Sequence, residues 1–445
     1  MKLESLKKKY PCFIYEKCSY AFKGKTLEIS FVFRIEPGIV FKPKLSIEGL
    51  VKRKDLDNLV FNLGMIEAVS YWKATCSPKM LVKAGFLDKE QIRWWQDLIL
   101  KGMGQFFYEN RIRFQKPLII ASGPKLKANL SFRLKNRVLV PIGGGKDSLV
   151  TMELLKKAKK NILCFSLNPT PSALKGMEGQ ESIIARRKID PKLLELNRKG
   201  FLNGHTPFSA YLAFLSLLVS SASGCRYIAF SNERSSNEGN ASYLGKTINH
   251  QWSKSFEFEE KFRRYSKKYL DNKAEYFSLL RPLYEIQIAG LFSRFPEKLD
   301  SFLSCNEAFK TDSGRKEPSG KWCCKCSKCL FAFSILYPFV NEKKLVAAFG
   351  ENLFKSIELL PLAKELIGEK GIKPLECVGT YRESLIAFFL SWKKARISGK
   401  VPVLLKSLES RFLKDYNSLE KEFKKMLFSW NPKNNLPKGF EKILA

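Results

Sequence analysis

"VLVPIGGGKDSLVTMELLKKAKKNILCFSL", residues 138–167, decides the fold. Its first five residues are apolar but for one proline, which is how a strand buried on both faces reads. Three glycines follow at 143–145, and then Val150, Leu154, Leu155 and Ala158 recur at helical spacing. "NILCFSL" (161–167) is a second apolar strand. Further on, "PFSAYLAFLSLLVSSA" (207–222) predicts a buried helix and "CRYIAFS" (225–231) a third such strand. Strand, helix, strand, helix, strand predicts an α/β fold built on a doubly wound parallel sheet.

Upstream, "LEISFVFRI" (27–35) alternates apolar and other residues with the period of a half-buried strand. A helical stretch is expected over 88–110, and the basic, Gly-Pro-bearing segment 122–136 marks a boundary. Downstream, 382–396 and 419–430 carry apolar and basic residues at helical spacing, interrupted by proline loops such as 431–439. The expected organisation is an N-terminal β-rich α+β domain over 1–135, a nucleotide-binding domain over 136–345 and a C-terminal helical region over 346–445.

At 445 residues, 45% hydrophobic and 27% charged, the chain has the composition of a folded globular protein. Its formal net charge of +35 implies attraction to polyanions, whether nucleic acid, anionic membrane or a multiply phosphorylated small molecule. The lysines are scattered over every segment, so a general lysine richness explains the charge equally well. No apolar stretch suits a signal peptide, and 207–222 is too short and serine-rich for a bilayer span. The expectation is a cytoplasmic protein with no membrane insertion. Eleven cysteines in such a setting do not suggest disulfides. Six (Cys12, Cys18, Cys76, Cys164, Cys225, Cys377) are dispersed and expected to be structural.

A strand that ends in a glycine-rich turn opening a helix presents backbone N–H groups and the positive helix end to an anion. The spacing fits neither G-x-x-x-x-G-K-[ST] nor G-x-G-x-x-G. Gly143-Gly144-Gly145-Lys146-Asp147-Ser148 resembles the PP-loop of the ATP pyrophosphatases, with Gly143 where serine is usual. The resemblance implies that Gly143, Gly144, Gly145 and Ser148 hold the phosphates of ATP, that Lys146 adds charge, and that Asp147 helps to hold Mg²⁺. The middle segment 136–345 is then the PP-loop domain.

Cys323-x-x-Cys326-x-x-Cys329, with Cys305 upstream, offers four thiolates at a spacing that suits a structural Zn²⁺ site, with an Fe–S cluster as the alternative. The polar segment 310–321 is expected to loop out between ligands, and Cys324 is the odd thiol. The cluster is similar to the metal site of the cyano-deazaguanine synthases, though its first gap is longer. "FSNERSSNEGNASY" (230–243) follows a buried strand where open α/β sheets bind ligands. Asn232, Arg234, Ser235, Asn237, Asn240 and, further on, Lys254 are its candidate substrate-binding residues, and Glu233 and Glu238 its candidate acid–base groups. The two histidines, His205 and His250, each sit at a predicted element boundary and are further acid–base candidates.

Taken together, "GGGKDS", "NGHTPFSAY", "SNERSSNEGN", "NHQWSKSFEFE" and "WCCKCSKCLFAF" resemble the UDP-N-acetylmuramoyl-L-alanyl-L-glutamate epimerases of bacterial peptidoglycan synthesis, the MurL family. Cys324 stands where glycine is commoner. The resemblance implies ATP-dependent activation of the terminal glutamate α-carboxylate as an acyl-adenylate, inversion at the α-carbon, and release of AMP and pyrophosphate, without pyridoxal phosphate. Lys146, Asp147, His205, His250, Glu233 and Glu238 would then carry catalysis. The partner would be a small molecule, a UDP-muramoyl dipeptide. The alternatives are a PP-loop tRNA-modifying enzyme (a thiolase or lysidine-type ligase), which would bind nucleic acid, a cyano-deazaguanine synthase, or a non-enzymatic nucleotide-sensing module.

Overall fold

The computed structural model describes residues 2–127, 133–309 and 320–444. Parts of the expected boundary (128–132) and of the expected inter-ligand loop (310–319) lie outside the described residues. Among them, thirteen strands follow in chain order: β1 Cys12–Lys23, β2 Thr26–Glu36, β3 Ile39–Phe41, β4 Lys44–Glu48, β5 Lys79–Val82, β6 Leu118–Ala121, β7 Lys135–Pro141, β8 Ile162–Leu167, β9 Ser182–Lys188, β10 Cys225–Phe230, β11 Ala241–Tyr243, β12 Lys246–Ile248 and β13 Glu275–Ser278.

Eleven of these form one sheet in the order β13-β10-β7-β8-β9-β4-β2-β1-β5-β6, with β3 paired to β2. From β13 to β9 every pairing is parallel, as the apolar runs predict. The chain leaves β7 toward β8 on one side and returns to place β10 on the other. The β7/β10 gap is therefore the switch point of the winding, where open α/β sheets bind ligands beyond the carboxyl ends of their strands.

The N-terminal strands extend this sheet, because β4 pairs antiparallel with β9. A buried bidentate ion pair reinforces the junction. Arg187 of β9 donates from Nε and Nη2 to Glu67 Oε2 and Oε1 at 2.8 and 2.9 Å, tying the strand to the buried helix Asp57–Trp72. That helix packs on β1 and on Phe208–Ser223, whose end is set by Gly224 in the left-handed region.

The nucleotide-type unit has its expected parts. The helix after the glycines runs Lys146–Lys157 and buries Leu149, Val150, Met152, Leu154 and Leu155. C-terminal to the sheet, Glu285–Phe292, Ser327–Leu336 and Tyr381–Ile397 pack against one another around a second apolar core. Thr380 and Glu383 form a capping box that starts the last of these. No helix among the described residues is long and apolar enough to cross a membrane.

Candidate active site

Three neighbouring parallel strands each deliver one carboxylate just beyond their carboxyl ends. Asp147 follows β7, Glu233 follows β10 and Glu285 follows β13. One oxygen from each lies within 4.8 Å of the others. Lys146, only 6% exposed at its side chain, ion-pairs with Asp147 and Glu285. Glu285 is as deeply buried, whereas Asp147 keeps 26% of its side chain open to solvent, so Asp147 is the more exposed carboxylate of this ion-paired trio.

The electrostatics follow from this packing. Burial pushes Glu233 above the ordinary carboxylate range, Asp147 adds to the rise, and Lys254 opposes it. Burial likewise lifts Glu285 to about 7, against the pull of Lys146. Burial also works against the charge on Asp147, yet Lys146, Lys328 and Lys254 together hold its carboxyl below the usual value. Lys146 stays charged despite burial, because Asp147 and Glu285 flank it.

The glycine turn lies against this group. Gly144 has φ +86°, a conformation in which a side chain is strained, and an added Cβ would sit 3.2 Å from the Ala173 backbone nitrogen. At Gly143 an added Cβ would meet no protein atom within 4 Å, so the protein itself leaves that side open for close approach. Gly145 caps Lys146–Lys157 with no side-chain hydrogen bond, leaving its first N–H groups without a side-chain acceptor. Ser148 donates its hydroxyl to the Gly145 carbonyl at 2.9 Å.

Two further lysines, Lys254 and Lys328, stand near these carboxylates. Lys254 donates to Cys377 Sγ at 3.2 Å, and Lys328 donates to the Cys377 carbonyl. Burial disfavours the charge on Lys254, but Cys377 and Glu233 keep it above its ordinary range. His205 and His250 lie with ring centroids 4.7 Å apart and their planes tilted by 52°, and His250 Nδ1 lies 2.5 Å from Gln105 Oε1. Burial, then the charges of Lys254, Lys328 and Lys373, drive His250 down to about 3, and burial with His250 and Lys73 lowers His205 well below its usual value. The two rings are therefore neutral donors or acceptors in the free cleft.

Most of the polar loop holds structure together. Asn232 donates to Ser278 Oγ at 3.1 Å. Arg234 turns outward onto Tyr284 and donates to Ser429 Oγ. Asn237 bonds the Arg234 carbonyl and the Phe256 amide, and Ser235 is buried. Asn240 bonds the Pro374 carbonyl at 2.6 Å and the His250 amide at 2.9 Å. Glu238 accepts from Lys373 and from the Tyr381 amide, both at 3.1 Å. This loop thus stitches down the segment 373–381, which carries Cys377. Glu233 and Lys254 are the two that reach the cleft.

Arg281, fully buried, braces both of them. It donates to the Glu233 carbonyl at 2.7 Å and to the Lys254 carbonyl at 2.5 Å, and pairs with Glu259 at 3.1 Å.

Below the cleft, Cys305, Cys323, Cys326 and Cys329 place their sulfurs within 4.8 Å of one another. Cys323 and Cys326 lie 3.7 and 3.5 Å from Cys329. A tetrahedral ion with metal–sulfur bonds of about 2.3 Å needs ligand separations of about 3.8 Å, so the donor set fits a single tetrahedral ion. Cys324 points away, bonds the Phe349 carbonyl at 3.3 Å, and has its thiol pushed up to about 12, chiefly by burial. Its φ of +58° is in the left-handed region that favours glycine. Cys326 is the N-cap of Ser327–Leu336, so this set anchors the helix that aims Lys328 at the cleft.

The N-terminal domain model of the MurL family matches residues 4–279, and its C-terminal domain model matches residues 301–418. The chain belongs to the MurL family. It is 35% identical over 348 residues to a UDP-N-acetyl-alpha-D-muramoyl-L-alanyl-L-glutamate epimerase of Salinispora tropica, a match that covers 75% of this chain and 74% of that one. Proteins of the same name from a Micromonospora species and from Xanthomonas oryzae are each 34% identical over 75% of this chain and about as much of their own.

Of the residues singled out in this MurL-family chain's sequence, the structure brings together Lys146, Asp147, Glu233 and Lys254, and separately the four clustered cysteines. Glu285, Arg281 and Lys328 were not singled out, and Cys377 was expected to be structural. Glu285 opens an apolar helix, "EIQIAGLF", where a single acid reads as an ordinary first-turn residue. A cue existed for Lys328: it lies between two cysteines of the cluster, one residue before Cys329.

Proposed function

We propose that this chain inverts the α-carbon of the terminal L-glutamate of UDP-N-acetylmuramoyl-L-alanyl-L-glutamate, giving the D-glutamate needed for peptidoglycan precursor synthesis in the cytoplasm. One observation carries the reading. A carboxylate triad and a glycine turn meet at the sheet's switch point, in a chain whose family relatives are named for this epimerisation.

A glutamate α-proton beside a free carboxylate is held firmly, because its removal builds charge next to an anion. ATP would supply the adenylyl group that turns the carboxylate into a mixed anhydride, whose acyl carbon no longer carries a carboxylate charge; pyrophosphate leaves in that step, and hydrolysis of the anhydride after inversion releases AMP. The turn at Gly143–Gly145 and the first N–H groups of Lys146–Lys157 bind the phosphates. Lys146 offsets their charge. Asp147, Glu233 and Glu285 form an oxygen-only donor set that suits Mg²⁺, which would neutralise the phosphates and the departing pyrophosphate. Lys254 and Lys328 bind carboxylate, and the neutral His205–His250 pair donates to it. The four clustered cysteines hold Zn²⁺ as a structural ion and keep Lys328 in position.

The test is to incubate the protein with ATP, Mg²⁺ and the UDP-muramoyl dipeptide in deuterated water. AMP, pyrophosphate and deuterium at the glutamate α-carbon are expected together. AMP formation only on addition of tRNA would overturn the proposal.

A further inference from the structure

The carboxylates gather beyond the carboxyl ends of β7, β10 and β13. Where the same strands begin, an open cavity of about 670 Å³ lies outside the chemistry described so far. β10 is six residues long, so at about 3.3 Å per residue the cavity stands about 20 Å from the cleft. Its volume is that of a small-molecule site.

Six cations line it. Arg133 precedes β7, Arg226 lies in β10, Arg263, Arg264 and Lys267 come from the helix Phe256–Tyr269, and Lys273 from the turn before β13. The one carboxylate, Glu275, is taken by Arg226, which donates to its Oε1 from Nε and Nη2 at 3.0 and 2.7 Å. Among the described residues the other five cations pair with no carboxylate; Arg263 donates to the Tyr276 carbonyl and Arg264 to the Glu260 carbonyl. Elsewhere on that helix the cations are neutralised, Lys261 by Asp97 and Glu257, and Lys268 by Glu90. The helix dipole accounts for Lys267 in the last turn, but not for cations brought by the other elements. Nor does general lysine richness, because four of the six are arginines in a chain where lysines far outnumber arginines.

The wall is preformed. Asp271, fully buried, accepts from the Lys273 and Ala274 amides at 2.9 and 3.3 Å and from Ser221 Oγ at 2.7 Å, which fixes the turn carrying Asn272 and Lys273. Like charges gathered in a concavity focus their field on an entering anion, and guanidinium forks match phosphate oxygens.

We propose that this cavity is a second anion site, which takes a small molecule carrying two or more linked phosphates. Its cations come from four parts of the chain, and a diphosphate offers oxygens to several of them at once where a single phosphate does not. A nucleic acid would need a basic track and not a pocket.

Titration calorimetry of the full-length protein with inorganic pyrophosphate tests this, in EDTA and at about 0.15 M salt, which screens diffuse attraction. Wild type is compared with the double variant Arg264→Glu, Lys267→Glu and, separately, with Lys273→Glu, all at exposed positions. Each variant should keep its melting temperature and lose one equivalent of pyrophosphate, or bind it at least about tenfold more weakly, the scale of one charge-assisted hydrogen bond. Hydrogen exchange should show pyrophosphate protecting residues 261–276 in wild type and not in the double variant. Binding at the glycine turn is read separately, at 143–148, so failure of the ATP reading and failure of this one fall in different peptides. ATP that displaces pyrophosphate from 261–276 names a nucleotide as occupant; pyrophosphate that stays names the inorganic ion. Equal titrations in wild type and folded variants, or protection at 143–148 alone, would overturn the site. So would a single-stranded RNA oligomer that binds more tightly than pyrophosphate and is lost in the same variants.

Discussion

Replacing Lys146 by methionine should destabilise the free protein and make its stability depend on divalent cation. The ammonium is buried and pairs with Asp147 and Glu285, with Glu233 in the same cluster. At about 3 Å and an effective dielectric of 20, each pair is worth about 5 kcal/mol of attraction, largely offset by the desolvation of the ammonium. What the substitution adds is three gathered carboxylates without their nearest counter-charge, and breaking a buried pair in this way costs about 3–5 kcal/mol. Asp147 is partly open to water and Lys254 still faces Glu233, so the expected loss is near the lower end, about 3 kcal/mol. Urea unfolding followed by tryptophan fluorescence measures it. Millimolar Mg²⁺ should recover much of the loss in the variant and raise wild type by less, since the ion would replace the missing charge. A loss below about 1 kcal/mol, or equal Mg²⁺ responses in the two proteins, would refute the electrostatic account of the triad.

Other outcomes are expected. Asp147→Asn should abolish pyrophosphate release while the chain remains folded, and surviving activity in the AMP assay would move the site elsewhere. Cys326→Ser should lose bound zinc and lower the melting temperature, whereas Cys324→Gly should keep its metal and shift stability by no more than about 1 kcal/mol, because the left-handed backbone suits glycine. Elemental analysis and thermal melts separate the two, and unchanged metal in Cys326→Ser would refute the four-thiolate site. His250 is held neutral with its pKa near 3, against an ordinary 6.5, by burial and by Lys254, Lys328 and Lys373, opposed by Glu109. The unfolded chain therefore binds more protons between those values, and stability is lost as pH falls from about 6.5 toward 3, by about 3 kcal/mol after allowing for partial exposure. In His250→Asn the urea midpoint should depend less steeply on pH over that window; parallel profiles would argue against a buried neutral ring.

The parts of the fold that were legible in the sequence are those whose signals are local. Residues 138–167 read as strand, turn, helix and strand because both strands are buried on two faces and the glycines separate them. Seven of the eleven strands of the main sheet were not read: β1, β3, β4, β5, β6, β9 and β13. β9, "SIIARRK", has a polar second half, and its pairing with β4 joins residues far apart in the chain. The charge on Arg187 looks like a surface feature until Glu67 is found beneath it. At the site, Asp147 and Glu233 stood in recognisable motifs, whereas Glu285, Arg281 and Cys377 gain their meaning from neighbours brought by other strands. Cys377 was expected to be structural because it stands far along the chain from the clustered cysteines. The polar loop shows the converse. Its density of hydrogen-bonding groups marked the right place, but most of those groups hold the backbone of 373–381.

The winding that sets β13, β10 and β7 side by side also divides ownership of the cleft along the chain. Asp147, Glu233 and Lys254 precede residue 279, while Glu285 and Lys328 follow it, so neither portion holds the whole charged cluster. Two separately produced fragments, divided between β13 and Glu285, would each be inert and would regain turnover only by reassociating across the β13 edge. For the same reason a single proteolytic nick there need not silence the enzyme. The apolar core shared by Lys146–Lys157 and Glu285–Phe292 would keep the halves together.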